Sequence, residues 1–156
     1  MNTTQEIPLV KIWTDGSARN NGQKGAFGSY AYIIVAPDGQ ELEEWGVEEG
    51  ATNQQMELMG AIQALEIAVK AFPNVRIKLY SDSAYLVNCW KDHWYRKWMQ
   101  NGWKNSKKEP VANQGLWERL VPFFMNPSIQ FIKVKGHSGD PMNERVDTLA
   151  QKASIK

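Results

Sequence analysis

The stretch Lys78-Leu79-Tyr80-Ser81-Asp82 ends in an aspartate, and the earlier stretch Lys11-Ile12-Trp13-Thr14-Asp15 ends in the same way. Each follows the pattern of an apolar strand that runs into a polar turn. A long helical pattern lies between them, and a helical crossover joins parallel strands of one sheet. The two segments therefore predict parallel neighbours whose aspartates lie side by side at one edge of the sheet.

Hydrophobic periodicity predicts the other elements. Further strands are expected at Phe27–Val35, around Leu42 to Val47, at Val75–Tyr80 and at Ile129–Val134. Helices are expected at Asn53–Phe72, from Ser83 toward Trp90, at Trp94–Met99, at Asn113–Phe124 and after Asp140-Pro141. Pro122 predicts an early end or a kink in the fourth of these helices. Residues 1 to about 7 are interpreted as a disordered arm, and Ser17 to Gly25 and Gly136 to Gly139 as loops. The order predicts one α/β domain over residues 1–156, with a five-stranded mixed sheet (a three-stranded antiparallel meander plus two parallel strands) flanked by helices.

Composition excludes several classes of protein. The chain has 156 residues, a net charge of +1 and a single cysteine, Cys89, so a disulfide framework within it is excluded and a reducing, cytoplasmic location is expected. It contains no apolar run long enough for a membrane span. The near-neutral sum hides local charge, because Lys91 to Pro110 holds six Lys or Arg against two acids, while Ala36 to Gly60 holds seven acids and no Lys or Arg.

Two further carboxylates belong with the two strand-end aspartates. Glu57 shares a helix face with a stripe of small residues (Ala61, Ala64 and Ala68), so it points toward the sheet. Asp147 borders the apolar face of the last helix. Each carboxylate also has an ordinary structural explanation: a turn or cap for the aspartates, the helix dipole for Glu57, and a salt bridge for Asp147.

Four carboxylates that meet at one edge favour a hard cation, because Mg²⁺ takes oxygen ligands and keeps waters for reaction. Two such ions about 4 Å apart can activate a water and stabilise a leaving oxygen in phosphodiester cleavage. The residues therefore predict a Mg²⁺ site with two ions, with Mn²⁺ as an alternative metal.

Five blocks of sequence resemble, in order, the signature blocks of type 1 ribonuclease H. They are Thr14-Asp15-Gly16-Ser17, Thr52-Asn53-Gln54-Gln55-Met56-Glu57-Leu58, Tyr80-Ser81-Asp82-Ser83, Val134-Lys135-Gly136-His137-Ser138-Gly139 and Asn143-Glu144-Arg145-Val146-Asp147. The resemblance covers about Val10 to Ala153. It implies a ribonuclease H-like fold and hydrolysis of the RNA strand of RNA–DNA hybrids by two metal ions, with 5′-phosphate and 3′-hydroxyl products.

The resemblance also implies roles for the site residues. Asp15 would bridge both metals, Asp147 would complete the site of the metal that activates water, and Glu57 and Asp82 would serve the metal near the leaving oxygen. His137 matches the family's loop histidine, so the resemblance implies that it assists proton transfer or product departure. A histidine can exchange protons near neutral pH, which suits this role.

Other residues of this chain match those with which the family contacts the RNA–DNA hybrid. The basic, Trp-rich stretch Lys91 to Pro110 resembles the family's DNA-gripping protrusion, and cations next to Trp are typical of nucleic-acid surfaces. DNA-strand contacts are expected from Thr52, Tyr85, Trp94, Arg96, Lys97, Trp98, Lys104, Lys107, Lys108 and Asn113, and RNA-strand contacts from Asn21, Asn53 and Gln54. Trp90 is instead expected in the core. Gly50, Gln55 and Ala84 depart from common family residues, which favours a lower affinity for the hybrid.

Three alternatives stay open at this point. One is a non-catalytic hybrid-binding module, against which the complete set of four carboxylates argues. Another is the ribonuclease domain of a reverse transcriptase. A small-molecule phosphate enzyme is the third, although the chain has no Gly-rich phosphate loop. No membrane partner is expected, and the protein is predicted to be a monomer.

Overall fold

A computed structural model describes residues 7–19, 27–135 and 140–153 of the chain. Five strands form one sheet in the order β3-β2-β1-β4-β5. The strands are β1 (Leu9–Arg19), β2 (Phe27–Val35), β3 (Glu41–Glu49), β4 (Arg76–Ser81) and β5 (Ile129–Lys133), and the helices are α1 (Asn53–Ala71), α2 (Ala84–Lys91), α3 (Trp94–Asn101), α4 (Gln114–Phe124) and α5 (Pro141–Ala153). None of the described helices is long and apolar enough to cross a membrane.

The sheet has the predicted mixed topology. β2 is antiparallel to both β1 and β3, whereas β4 is parallel to both β1 and β5. The parallel pair β1–β4 sets Trp13 opposite Tyr80 and Thr14 opposite Ser81. The neighbouring arrangement predicted for the two aspartate-bearing segments is therefore confirmed.

The prediction that Asp15 lies just past the end of its strand is wrong. β1 continues to Arg19, because its second half stays paired with β2, from Asp15 opposite Ala31 to Arg19 opposite Phe27. Only the parallel pairing with β4 ends at Thr14. The predicted loop from Ser17 therefore begins later, and residues 20–25 lie outside the described part of the chain, as do residues 1–6 of the expected arm and the expected loop at 136–139.

The helices cover the two faces of the sheet unequally. α1 to α4 pack on one face around a large core that includes Ile12, Leu79 and the buried Trp117. α5 packs on the opposite face, across β1, β2 and β3, over a smaller core that includes Ile33 and Val146. The sheet thus holds α1 and α5 on opposite sides of β1, the strand that carries Asp15.

Gly16 permits a very close approach between β1 and the first turns of α1. A Cβ atom at this position would lie 2.4 Å from the backbone nitrogen of Glu57 and 2.4 Å from the carbonyl carbon of Met56. Both are backbone atoms of a packed helix and cannot swing aside. Only glycine therefore allows α1 to lie this close to the strand that carries Asp15.

The helix starts have conventional caps. The Thr52 hydroxyl accepts from Gln55 N–H (3.1 Å), and the Gln55 side chain accepts from Thr52 N–H (2.9 Å), which is a capping box. Ser83 caps α2, and Asp140 accepts from the backbone of Met142 and Asn143 at the start of α5. The early end of α4 expected at Pro122 is wrong, since the helix continues through the proline to Phe124.

Replacement of Gly16 tests the close approach. Gly16→Ala should lower the free energy of unfolding by about 2–3 kcal/mol, because the added methyl overpacks a rigid contact. Urea denaturation measures the change. Gly115→Ala is the matched control: nothing lies within 4 Å of a Cβ there, so alanine should stabilise α4 by about 0.5–1 kcal/mol. A Gly16→Ala protein as stable as the wild type would contradict the account of this contact.

Candidate active site

Three of the four predicted carboxylates converge on one point. Each of Asp15, Glu57 and Asp82 offers an oxygen, and these oxygens all lie within 4.8 Å of one another. The group comes from three elements that are far apart in sequence: β1, α1 and the residue that follows β4. A turn or a helix cap uses a single side chain, so the ordinary local roles of these residues do not explain why all three carboxylates meet at one point.

Backbone contacts set the position of each group. Asp15 is 4% exposed, in the middle of the sheet. The Gly16 N–H donates to Glu57 Oε1 at 3.2 Å, which ties the helix carboxylate to the strand beside Asp15. Asp82 follows β4 directly, one register position beyond the Thr14–Ser81 pair.

Asp147 joins the group from the opposite face of the sheet. Its carboxylate lies near that of Asp15, and the Gln151 side chain donates to it at 3.3 Å. Arg145, two residues before Asp147 on α5, forms ion pairs with Glu41 and Glu43 of β3, and these pairs hold α5 against the edge of the sheet. The predicted set of four carboxylates is thus brought together in space.

The carboxylates resist ionisation in one another's presence. Burial, followed by the charge of Glu57, raises the pKa of Asp15 above the ordinary 3.8. Burial and the charge of Asp82 raise the pKa of Glu57, and burial and Asp147 raise that of Asp82, although Lys133 opposes the last shift. Like charges in a poorly solvated site disfavour joint ionisation.

A divalent cation fits this group of side chains. All the donors are carboxylate oxygens, which are the ligands that Mg²⁺ and Mn²⁺ accept. Glu57 Oε2 is buried and has no hydrogen-bond partner among the described residues. A buried carboxylate oxygen without a partner is costly, and a cation among these groups would satisfy the oxygen and neutralise the repulsion.

The basic, Trp-rich stretch from Lys91 to Pro110 comprises the last residue of α2, the whole of α3 and the segment that follows it. Its six cations are all exposed: Lys91, Arg96, Lys97, Lys104, Lys107 and Lys108. Trp94 and Trp98 are partly buried and partly exposed, and Trp98 contacts Trp94, Trp103 and the buried Trp117. Trp90 packs against Phe131, in agreement with its expected core position. The aromatic rings therefore anchor a cationic surface to the core.

The remaining predicted contact residues are found at the start of α1 and beside α4. Thr52 is partly buried, while Asn53 and Gln54 are exposed. Asn113 adopts the left-handed conformation (φ 62°) and donates from Nδ2 to the Tyr85 hydroxyl at 3.1 Å. Asn21 and His137 lie outside the described residues, so their predicted roles stay predictions.

Sequence reasoning missed three features that shape the site. The Gln55 side chain belongs to the capping box of α1, which the spacing Thr-x-x-Gln signals. The Gly16 contact and the Arg145 ion pairs have no comparable sequence signal, because each joins segments more than 40 residues apart. Among the departures, Gly50 has a positive φ (79°) and nothing lies within 4 Å of where a Cβ would be, and Ala84 is exposed.

Comparison with known proteins places these features in context. The family model for RNase H matches residues 8–155. A ribonuclease H from Syntrophomonas wolfei is 46% identical over 92% of this chain and 94% of its own length, and one from Moorella thermoacetica is 42% identical over 92% and 90%. Among solved structures, LC9-RNase H1, described as a type 1 RNase H with the type 2 active-site motif, has a TM-score of 0.81 and 27% identity over 98% of this chain and 75% of that one.

The raised carboxyl pKa values predict an unusual effect of Asp15→Asn. In the metal-free protein, groups whose pKa is raised on folding favour the folded state below their unfolded pKa, near 4, and this contribution is lost as the pH rises through the folded pKa values. At about pH 8, Asp15→Asn should therefore raise the free energy of unfolding by about 1–3 kcal/mol. Near pH 4 the gain should disappear.

Urea unfolding in the presence of a chelator measures this difference at both pH values. Asp92→Asn, which makes the same charge change at an exposed site, should shift stability by less than about 0.5 kcal/mol. A lower stability of Asp15→Asn at about pH 8 would contradict the repulsion.

Proposed function

This chain belongs to the ribonuclease H family, and we propose that it is an endonuclease that hydrolyses the RNA strand of RNA–DNA hybrids with the help of divalent metal ions. The observation that carries the proposal is the convergence of Asp15, Glu57 and Asp82 within 4.8 Å. A protein that only binds the hybrid gains nothing from holding these groups together against their repulsion. Family membership and the carboxylate group therefore support the same chemistry.

The proposal assigns each carboxylate a place at two Mg²⁺ ions. Asp15 would hold both ions, Glu57 and Asp82 the ion near the leaving oxygen, and Asp147 the ion that binds the attacking water. Two bound ions supply an activated water and neutralise the charge that develops on the leaving oxygen. Products with 5′-phosphate and 3′-hydroxyl ends belong to this mechanism, and Mn²⁺ is expected to substitute for Mg²⁺.

The protein's own groups prepare the site for those ions. The Gly16 N–H orients Glu57 from the strand side, and Gln151 orients Asp147 from within α5. Asp15 lies on the central strand, where it is held by its pairing with Ala31 of β2, directly after Thr14, the last residue of β1 that pairs with β4. His137, in the segment before α5, is proposed to exchange a proton with the departing product.

The substrate is proposed to lie across the start of α1 and the basic surface. Arg96, Lys97, Lys104, Lys107 and Lys108 would contact DNA phosphates, together with Thr52, Tyr85, Trp94, Trp98 and Asn113. The amides of Asn21, Asn53 and Gln54 would contact the RNA strand, because an amide can both donate to and accept from a 2′-hydroxyl. That group distinguishes RNA from DNA.

The protein is further proposed to be a monomer that acts in the cytoplasm. The one cysteine, Cys89, is a buried free thiol, which is consistent with a reducing compartment. In the described ranges, the sheet, α1 and α5 build the carboxylate group from a single chain, so catalysis requires no second copy.

Cleavage of a labelled hybrid tests the activity. The RNA strand should be cut internally in the presence of Mg²⁺, whereas RNA duplexes and DNA duplexes of the same sequence should stay intact. Glu57→Gln and Asp82→Asn should each lower kcat by more than about 100-fold, which exceeds the usual cost of losing a group that only supports a metal ligand. Glu118→Gln, an exposed position on α4, should behave as the wild type. Tight binding of the hybrid with no cleavage in Mg²⁺ or Mn²⁺ would favour a binding module instead.

Neutralising the basic surface tests the substrate contacts separately from the chemistry. Lys104→Gln/Lys107→Gln should raise KM with kcat unchanged, because these exposed side chains contact only the DNA strand in the proposal. The slope of log KM against log salt should fall by about 1 for each phosphate contact that is lost. Lys70→Gln/Lys152→Gln removes the same charge at exposed sites on α1 and α5 and should leave KM unchanged. A loss of kcat without a change in KM would contradict this assignment.

A further inference from the structure

The repeated segments of β1 and β4 carry more than the catalytic carboxylates. Both have the form Lys-x-aromatic-x-Asp, and the parallel register sets Lys11 opposite Lys78 and Trp13 opposite Tyr80. Side chains two residues apart lie on the same face of a strand. The lysines and the aromatic residues therefore form two successive rows on one face of the sheet, which lead toward Asp15 and Asp82.

Half of this face is uncovered. α5 packs on it across β1, β2 and β3, and within the described ranges no helix covers β4 and β5 on that side. Lys11 and Arg76 are exposed, and Lys78 is partly exposed. Lys11 and Arg76 also line a cleft of about 490 Å³ together with Leu9 and Val35.

The cations on this face have no acidic partners among the described residues. The ion pairs in that part of the chain involve Arg119 and Arg145, and none involves Lys11, Arg76 or Lys78. Like charges directly opposite on neighbouring strands destabilise a sheet. An anion bound between Lys11 and Lys78 would remove that repulsion.

An aromatic surface lies directly beside the cations. The rings of Trp13 and Tyr80 are stacked, with centroids 4.6 Å apart and planes inclined by 12°. Both side chains are partly exposed. Cations that track a backbone, next to rings on which bases stack, are the elements of a single-stranded nucleic-acid site.

We propose that Lys11, Arg76, Lys78 and the Trp13–Tyr80 pair bind a single-stranded RNA tail that continues from the strand being cut. The inference rests on the proposed function. Lys11 and Lys78 each lie four residues before a catalytic aspartate, about 13 Å along an extended strand, so a short tail spans the distance. An acidic polypeptide would use the cations but would have no need of the stacked rings or of closeness to the carboxylates. The preferred substrates are therefore hybrids whose RNA strand extends beyond the paired region.

Steady-state cleavage of matched substrates tests the proposal. One hybrid is blunt, and the others carry an unpaired RNA or DNA tail of about 8 nucleotides, within the span of a typical single-strand site, on either end. For the wild type, an RNA tail of one polarity should lower KM by about 3-fold to 10-fold relative to the blunt hybrid at about 0.1 M salt, with kcat unchanged. Lys11→Gln/Lys78→Gln should abolish the difference and leave KM for the blunt hybrid as it was. Lys70→Gln/Lys152→Gln, with the same change in charge, should retain the difference.

The outcomes separate this proposal from the proposed function. Failure to cut the blunt hybrid would contradict the proposed function, whereas equal KM values for blunt and tailed hybrids in the wild type would overturn only the tail site. A tail effect that survives in Lys11→Gln/Lys78→Gln would also overturn it, and so would an equal response to DNA tails. Anisotropy of a labelled single-stranded RNA in a chelator gives a readout without catalysis, in which Lys11→Gln/Lys78→Gln should bind more weakly than Lys70→Gln/Lys152→Gln. The unfolding midpoint of Lys11→Gln/Lys78→Gln should equal or exceed that of the wild type, because the substitutions remove the repulsion between the two lysines.

Discussion

The close contact between β1 at Gly16 and the first turns of α1 is the constraint on which the site depends. With a Cβ at this position only 2.4 Å from the backbone of α1, any other residue would push the helix away from the strand. The helix carries Glu57, and the strand carries Asp15 one residue before the glycine. The contact is thus what brings a helix carboxylate to a strand carboxylate, and the Gly16 N–H adds a hydrogen bond that holds Glu57 there.

The fold holds these groups together against their mutual repulsion. α1 contributes a helix face whose alanines, Ala61, Ala64 and Ala68, are fully buried against the sheet. Burial of such apolar surface stabilises the fold by about 25 cal/mol per Å², and the energy gained across the two cores offsets the cost of the poorly solvated carboxylates. Arg145 adds ion pairs at the edge of the sheet that hold α5, and with it Asp147, from the other side. The site is consequently a strained region inside a well-packed scaffold, as expected where charge is held ready for a cation.

Much of the architecture was predictable from local pattern. The strand Phe27–Val35 agrees residue for residue, and the periodicity from Asn53 onward gave the long helix to within a residue. The parallel pairing of β1 and β4 followed from the helical crossover between them. The end of β1 was mistaken because Thr14-Asp15-Gly16-Ser17 has the composition of a turn, while pairing with β2, a tertiary interaction, keeps it extended to Arg19. The carboxylate cluster was predictable as a set, but its closeness depends on the Gly16 contact, which local pattern does not reveal.

The central claim is that the carboxylates form one metal-dependent centre, and calorimetry of Mg²⁺ binding tests it most directly. Titrations of the substrate-free protein in two buffers with different protonation enthalpies separate the heat of binding from the protons released. Because the pKa values of Asp15, Glu57 and Asp82 are raised, we predict that Mg²⁺ binding at neutral pH releases protons, and that Asp15→Asn weakens binding and reduces the release. Equal Mg²⁺ binding by the wild type and Asp15→Asn, with no release of protons in either, would contradict the account.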